Sequence, residues 1–328
     1  MPNVSPTDGI LTLNKPRGPT SHDVVNRVRT LTGIRRVGHA GTLDPLATGV
    51  LVVCVGRATR VAEYLMAARK VYRARVRLGV ATDTYDAEGE TVTQADEPLT
   101  LSRDQVEAAL AQFRGTITQV PPMYSAIKHQ GTPLHRLVRR GVEVAQILQS
   151  KARQVEIFQL ELTAWEPPNC TLETTCSSGT YVRSLAHDLG TALGCGAHLT
   201  SLTRLASGRF RLEHTITVQE FAQAVTEDRW PDLLHPIDAA LAHFPALHLD
   251  AGSARHICSG QAVQVPESEG VRLDERDQVL QLARAYGPGG TFLALVAYVP
   301  EADVWRPHKV FADASHGRSS NDRYVPER

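Results

Sequence analysis

The stretch Gly41-Thr42-Leu43-Asp44-Pro45-Leu46-Ala47-Thr48-Gly49 holds a single carboxylate in an apolar loop with no second acid beside it. A lone aspartate held in a fixed loop is a candidate functional group. It lacks the second acid that glycoside hydrolysis uses. Pro45 biases Asp44 out of the α region towards extended backbone, and Gly41 and Gly49 permit sharp turns at either end. An isolated Asp-Pro more often does no more than start a turn. The framework around the loop has to decide between the two.

Residues 21–32 read as an amphipathic helix: Ser21 can cap it, Val24, Val25, Val28 and Leu31 share one face, and Gly33 ends it. Residues 49–55 read as a buried β-branched strand and 59–68 as a short helix. Along 71–80 the pattern alternates. Tyr72, Ala74, Val76, Leu78 and Val80 fall on one side and Arg73, Arg75 and Arg77 on the other, which puts Tyr72 with the core and the arginines with solvent or phosphate. Residues 83–97 form an acidic loop and hairpin, and 102–113 a helix with Ser102 and Gln105 as its capping box. Residues 121–141 carry Pro121, Pro122, Gly131, Pro133 and Gly141 around a short basic helix, the texture of a mobile surface excursion. Strands return over 153–166 and 170–177, and Ser178-Gly179-Thr180 turns into a helix from Tyr181 to about Leu193. Beyond Ala242, short strands punctuated by Gly260, Gly287, Gly289 and Gly290 indicate a small all-β domain.

The formal net charge of zero hides a segregation. Between Asn14 and Arg77 thirteen Lys or Arg stand against three acids, and 128–140 adds four basic residues and no acid, a pattern that fits a one-sided phosphate footprint. Such runs are in most proteins just solvated surface. Five cysteines with no CxxC pair argue against a disulfide framework or a structural zinc site. No apolar stretch is long enough to span a bilayer and no leader pattern opens the chain, so a cytoplasmic protein without membrane contact is expected.

Taken together, Asp8-Gly9 to Pro16, His39-Ala40-Gly41-Thr42-Leu43-Asp44-Pro45, Val71-Tyr72-Arg73, Asp83-Thr84-Tyr85-Asp86, Tyr124-Ser125-Ala126-Ile127-Lys128, Gly179-Thr180-Tyr181-Val182-Arg183 and Cys195-Gly196-Ala197-His198-Leu199 closely resemble the bacterial TruB family of tRNA pseudouridine-55 synthases. The blocks occur in the family's order across nearly the whole chain. The resemblance implies an α+β fold: a mixed, largely antiparallel sheet flanked by helices, with a thumb insertion at about 121–145. It places the catalytic domain at 1–241 and a β-rich PUA-type RNA-binding domain at 242–311, which leaves 312–328 as an expected disordered tail. The implied reaction detaches a uracil in the T-loop of tRNA at N1, rotates it while bound and rejoins it through C5. Neither a metal nor an organic cofactor is expected, nor an obligatory protein partner, and the chain is expected to act as a monomer.

By the same resemblance Asp44 matches the nucleophile, attacking C1′ of the ribose or C6 of the ring, and Arg183 its ion-pair partner. A cation there would favour the ionised carboxylate. Tyr72 matches the tyrosine that stacks on uracil and helps move a proton, though on its own it reads more often as a core aromatic on a strand's buried face. His39 matches a residue that holds the loop open after base flipping. Leu202 and Tyr181 match pocket walls, Asp86 a polar group near the uracil. Lys15 and Lys128 are expected at backbone or loop phosphates. His135 and Val138 depart from the usual thumb pattern, while Arg136, Arg139 and Arg140 keep its basic character. A catalytically idle RNA chaperone on the same frame and the guide-RNA-dependent branch of the superfamily are the alternatives; a nucleoside hydrolase lacks its acidic metal cluster.

Overall fold

The computed structural model describes residues 7–95, 99–125, 128–129, 131–133, 144–265 and 281–312. Arg136, Arg139, Arg140, His135 and Val138 lie outside the described residues, as do residues 313–328 of the expected tail. Of Lys128 only the backbone is described. The chain divides into two compact units: a larger one built from residues 11–56 and 62–234, and a smaller one from 235 onward together with 8–10 and 57–61.

In chain order, the first elements are β1 (Gly9–Lys15), α1 (Ser21–Thr32), β2 (Val37–His39), β3 (Ala47–Val55), α2 (Ala62–Ala67), β4 (Lys70–Leu78), β5 (Val80–Thr82), β6 (Thr91–Gln94), α3 (Arg103–Leu110) and β7 (Gly115–Gln119). A two-residue ladder of β8 (Lys128–His129) and β9 (Thr132–Pro133) follows, then α4 (Ala145–Gln149), β10 (Arg153–Glu166), β11 (Asn169–Cys176) and α5 (Val182–Ala192). The larger unit ends with β12 (Ala197–Ser207), β13 (Phe210–Arg211), β14 (Ile216–Thr217) and α6 (Val218–Thr226).

Ten of these strands form one sheet in the order β14-β1-β3-β12-β4-β11-β10-β7, with β2 beside β3 and β13 beside β12, while β5 pairs with β6 and β8 with β9. The β1–β14 and β3–β12 pairs are parallel, and the β2–β3, β4–β11, β4–β12, β7–β10, β10–β11 and β12–β13 pairs are antiparallel. The alternation on β4 holds: Tyr72, Ala74, Val76 and Leu78 are buried, and Arg73, Arg75 and Arg77 are exposed. The strand stops at Leu78, however, and Val80 begins a separate hairpin strand. Arg73 and Arg75 face neighbouring carboxylates rather than standing free, pairing with Glu173 at 2.8 Å and Glu166 at 2.9 Å. Ala186, Leu189, Val182 and Leu185 on one face of α5 join the sheet's buried side chains in a single core.

Two details differ from the sequence reading. Thr20, not Ser21, caps α1, in a reciprocal box with Asp23. Ser21 is therefore free to turn inward: its hydroxyl donates to the Leu43 carbonyl at 2.9 Å and accepts from the Leu43 N–H at 2.8 Å. Residues 197–207, given no element by the sequence reading, form the strand at the centre of the sheet.

The smaller unit contains β15 (Ala246–His248), β16 (Leu282–Tyr286), β17 (Phe292–Val299) and β18 (Val304–Val310) in one sheet, around a core of Leu247, Ile257, Ala283, Leu293, Val296 and Trp305. It is β-rich but not all-β, because α7 (Ala251–Cys258) contributes Ala254 and Ile257 to that core.

Candidate active site

The loop that carries Asp44 is pinned along its length. Ser21 holds Leu43 from both sides, and the Ala47 N–H closes a turn onto the Asp44 carbonyl at 3.0 Å. The Lys15 ammonium donates to the carbonyls of Pro16, Pro19 and Pro45 at 2.8, 2.7 and 3.4 Å. That finding corrects the expectation for Lys15. It is fully buried and its three donors are committed to backbone, so it organises the loop instead of meeting a phosphate. Burial lowers its pKa to about 8, with Asp44 pulling the other way.

Pinned this way, Asp44 faces a cavity of about 160 Å³ lined by Thr42, Leu43, Asp44, Tyr72, Ser125, Thr180, Tyr181, Val182, Arg183 and Leu202. Five residues singled out from the sequence thus converge: Asp44 from its loop, Tyr72 from β4, Tyr181 and Arg183 from the start of α5, and Leu202 from β12. Binding sites for larger ligands occupy about 300–1,000 Å³, so this one suits a single small ring.

Arg183 is buried between two carboxylates, with Nε 2.9 Å from Asp44 Oδ2 and Nη1 3.4 Å from Asp86 Oδ2. It donates further to the carbonyls of Thr84 at 3.2 Å and Tyr124 at 3.0 Å. The Nε–H itself points off the line to Asp44, so that contact is a close ion pair rather than an aligned hydrogen bond. Asp86 does not reach the cavity. Its carboxylate is buried behind Arg183, accepting from the Thr84 hydroxyl at 2.7 Å and the Glu88 N–H at 3.1 Å. The turn between them is braced by Tyr85, which adopts a left-handed backbone (φ 64°) and stacks on His187 at 3.9 Å.

The electrostatics differ from the simple pairing expected of Arg183. Burial raises the Asp44 pKa above its ordinary 3.8; Arg183 opposes this, Asp86 adds to it, and the net shift is upward. Yet 37% of the Asp44 side chain stays accessible, so the carboxylate remains open to the cavity it lines. Burial also raises the Tyr72 pKa, partly offset by Arg204.

His39 sits on β2 opposite Val53 and does not line the cavity. Its Nδ1 is enclosed without a partner, and burial, then Arg204, then His22 lower its pKa, so it is neutral at pH 7. Arg204 has no place in the sequence reading, whereas Ser125 and Thr180 stand in the quoted blocks without a role at the cavity. A usable signal existed for the first: in an alternating strand Arg204 shares a face with Leu202, which puts an arginine on the buried side. Among the described residues no group of His, Cys, Asp and Glu could hold a metal ion, and no helix is long and apolar enough to cross a membrane.

Residues 29–182 match the TruB family pseudouridylate synthase N-terminal domain, and 183–242 match the tRNA pseudouridylate synthase B C-terminal domain. A tRNA pseudouridine synthase B from Syntrophotalea carbinolica is 46% identical over 296 residues, 89% of this chain and 92% of that protein. One from Dehalococcoides mccartyi is 40% identical over 96% of this chain and all of that protein. Among solved structures, a chain from a Cbf5-Nop10-Gar1 complex superposes with a TM-score of 0.71 at 25% identity, covering 95% of this chain and 87% of that one.

Proposed function

The chain belongs to the TruB family and is a pseudouridine synthase that isomerises uridine in tRNA; from that premise we propose that Asp44 is its nucleophile and that the target is the T-loop uridine, flipped into the cavity beside Arg183. The observation that carries the reading is the placement of Asp44: a fixed, partly open carboxylate against Arg183 at the mouth of a cavity sized for one ring. A base inside a stacked loop cannot reach such a carboxylate, so flipping is required, at a cost of a few kcal/mol. His39, neutral and planar, would fill the gap left behind.

In the reaction the Asp44 oxygen adds to C1′ or to C6, the C1′–N1 bond breaks, and the uracil turns within the pocket. A C5–C1′ bond then forms, Asp44 departs with its electron pair, and the C5 proton is lost while N1 gains one. Atoms balance without a redox partner, and no cofactor enters the scheme. Leu202 and Tyr181 would confine the turning ring. The basic segment of Arg136, Arg139 and Arg140, with Lys128, is assigned to RNA phosphates, and the smaller β-rich unit to further RNA contact as a PUA-type domain. The protein acts as a monomer in this scheme.

The direct test incubates the purified chain with unmodified tRNA transcript tritiated at C5 of its uridines. One tritium released per tRNA is expected; RNA bound without release would instead favour the chaperone reading.

Tyr72 supplies the ring beside the uracil and a hydroxyl for the proton on C5. Tyr72→Phe keeps packing and stacking but removes the hydroxyl, so kcat is expected to fall about 10²–10⁴-fold, the usual contribution of a proton-transfer group. Near-normal tritium release by this variant would eliminate the role.

The pH dependence carries a sign. Asp44 must be ionised to attack, and its pKa lies above 3.8, so kcat/KM should fall with decreasing pH at a limb displaced upward from an ordinary aspartate. Asp86→Asn removes a negative neighbour that raises this pKa and leaves Arg183 to act on Asp44 alone. The limb then moves to lower pH; a limb that stays put shows that Asp86 has no electrostatic hold on Asp44.

A further inference from the structure

Arg204 is the bulkiest fully buried side chain among the described residues, and its acceptors are carbonyls rather than carboxylates: Val50 at 2.6 Å, Gly41 at 3.1 Å and Thr42 at 3.5 Å. A guanidinium enclosed against carbonyls alone is costly, and an apolar side chain would fill the space at less expense. Its position explains its presence. Both glycine ends of the Asp44 loop close on this one residue. Gly41, at φ +107°, would place a Cβ 3.4 Å from Arg204 Nη1, and Gly49, at φ +99°, would place one 2.3 Å from the Arg204 carbonyl oxygen. On the other side Arg204 stands directly opposite Tyr72 in the β4–β12 ladder.

We propose that Arg204 is a positioning residue of the isomerisation, fixing the Gly41–Thr42 backbone that aims Asp44 and presenting N–H donors to the Tyr72 hydroxyl oxygen. This rests on the isomerase reading above. A guanidinium only donates, so in this contact the Tyr72 oxygen would accept from it and the phenolic proton would turn away from Arg204. The same cation lowers the Tyr72 pKa against burial, easing loss of that proton. Lysine could match the charge but not the planar fork that spans Val50, Gly41 and Thr42 together.

The test is Arg204→Lys in single-turnover and steady-state assays on C5-tritiated tRNA, with wild type run beside it. An aim error of about 1 Å costs about 10²-fold, so kcat should fall about 100-fold while KM and the Kd for tRNA stay at wild-type values. In a Tyr72→Phe background Arg204→Lys should cost less than it does alone, because the two share one function. Should Arg204→Lys melt below the assay temperature, Arg204→Gln, neutral but still a planar amide donor, carries the same comparison. Undiminished kcat, or a loss confined to KM, overturns the inference. Equal losses in both Tyr72 backgrounds overturn the contact to Tyr72. Silence from wild type would instead sink the isomerase reading itself, so the two failures are told apart.

Discussion

Asp44→Asn is expected to abolish tritium release, by at least about 10⁴-fold, while tRNA affinity and the melting temperature change little. Removing a nucleophile from a unit that acts together can cost about 10⁶-fold, so even a residual background leaves a large deficit. Asparagine preserves the shape of the side chain and the turn closed by the Ala47 N–H on the residue 44 carbonyl. Arg183 retains Asp86 and the carbonyls of Thr84 and Tyr124, so its charge stays compensated. The amide also no longer carries the burial penalty that raises the Asp44 pKa. Binding should persist because the phosphate contacts assigned to the basic segments do not use this carboxylate. The measurement is tritium release per tRNA beside a filter-binding Kd and a thermal melt. Turnover within about tenfold of wild type would remove Asp44 from the chemistry, whereas loss of turnover with collapse of the melt would recast it as a structural aspartate.

What could be read from the sequence follows the range of the interactions involved. The face of β4 that buries Tyr72, the caps at Ser102 and Gln105, and the helix over 21–32 depend on neighbours one to four residues apart, and they stand in the fold. Position in the sheet depends on partners far along the chain. Nothing local tells that 197–207 is a central strand, that Val71–Val80 breaks at Gly79, or that a helix at 251–258 lies among the strands of the smaller unit. The site divides likewise. Asp44, Tyr72, Tyr181 and Arg183 stand in recognisable blocks and Leu202 just beyond the last of them, and all five meet at one cavity. Lys15 was misjudged because a lysine after a strand looks like surface until three prolyl carbonyls enclose it. Ser21 was assigned a cap that its neighbour Thr20 performs, and its contact with Leu43 spans 22 residues. Arg204 reaches Gly41 across 163 residues, a separation at which periodicity is silent.

Arg183→Met should be the most damaging single change to stability and activity together. The guanidinium is about 6% exposed and stands between Asp44 and Asp86, so its removal leaves two carboxylates facing each other in a buried site. Breaking a buried pair by deleting one partner costs about 3–5 kcal/mol. Asp44 already has a folded-state pKa above its ordinary value, and loss of the cation raises it further. An acid shifted in that direction weakens the fold when ionised. The penalty is absent below the unfolded pKa, grows as pH rises towards the folded pKa and is full above it. The stability deficit of Arg183→Met relative to wild type is therefore largest at neutral pH and shrinks as pH falls towards 4. Adding Asp86→Asn removes one of the two facing charges, so the double variant should recover much of the melting temperature. It should not recover turnover, because Asp44 still lacks the cation that keeps it ionised and aimed. Denaturant melts across pH, with tritium release for the single and double variants, decide the matter. A pH-independent deficit would mean that Arg183 acts by packing alone, and restored turnover in the double variant would show that its contribution to the reaction is only the fold it maintains.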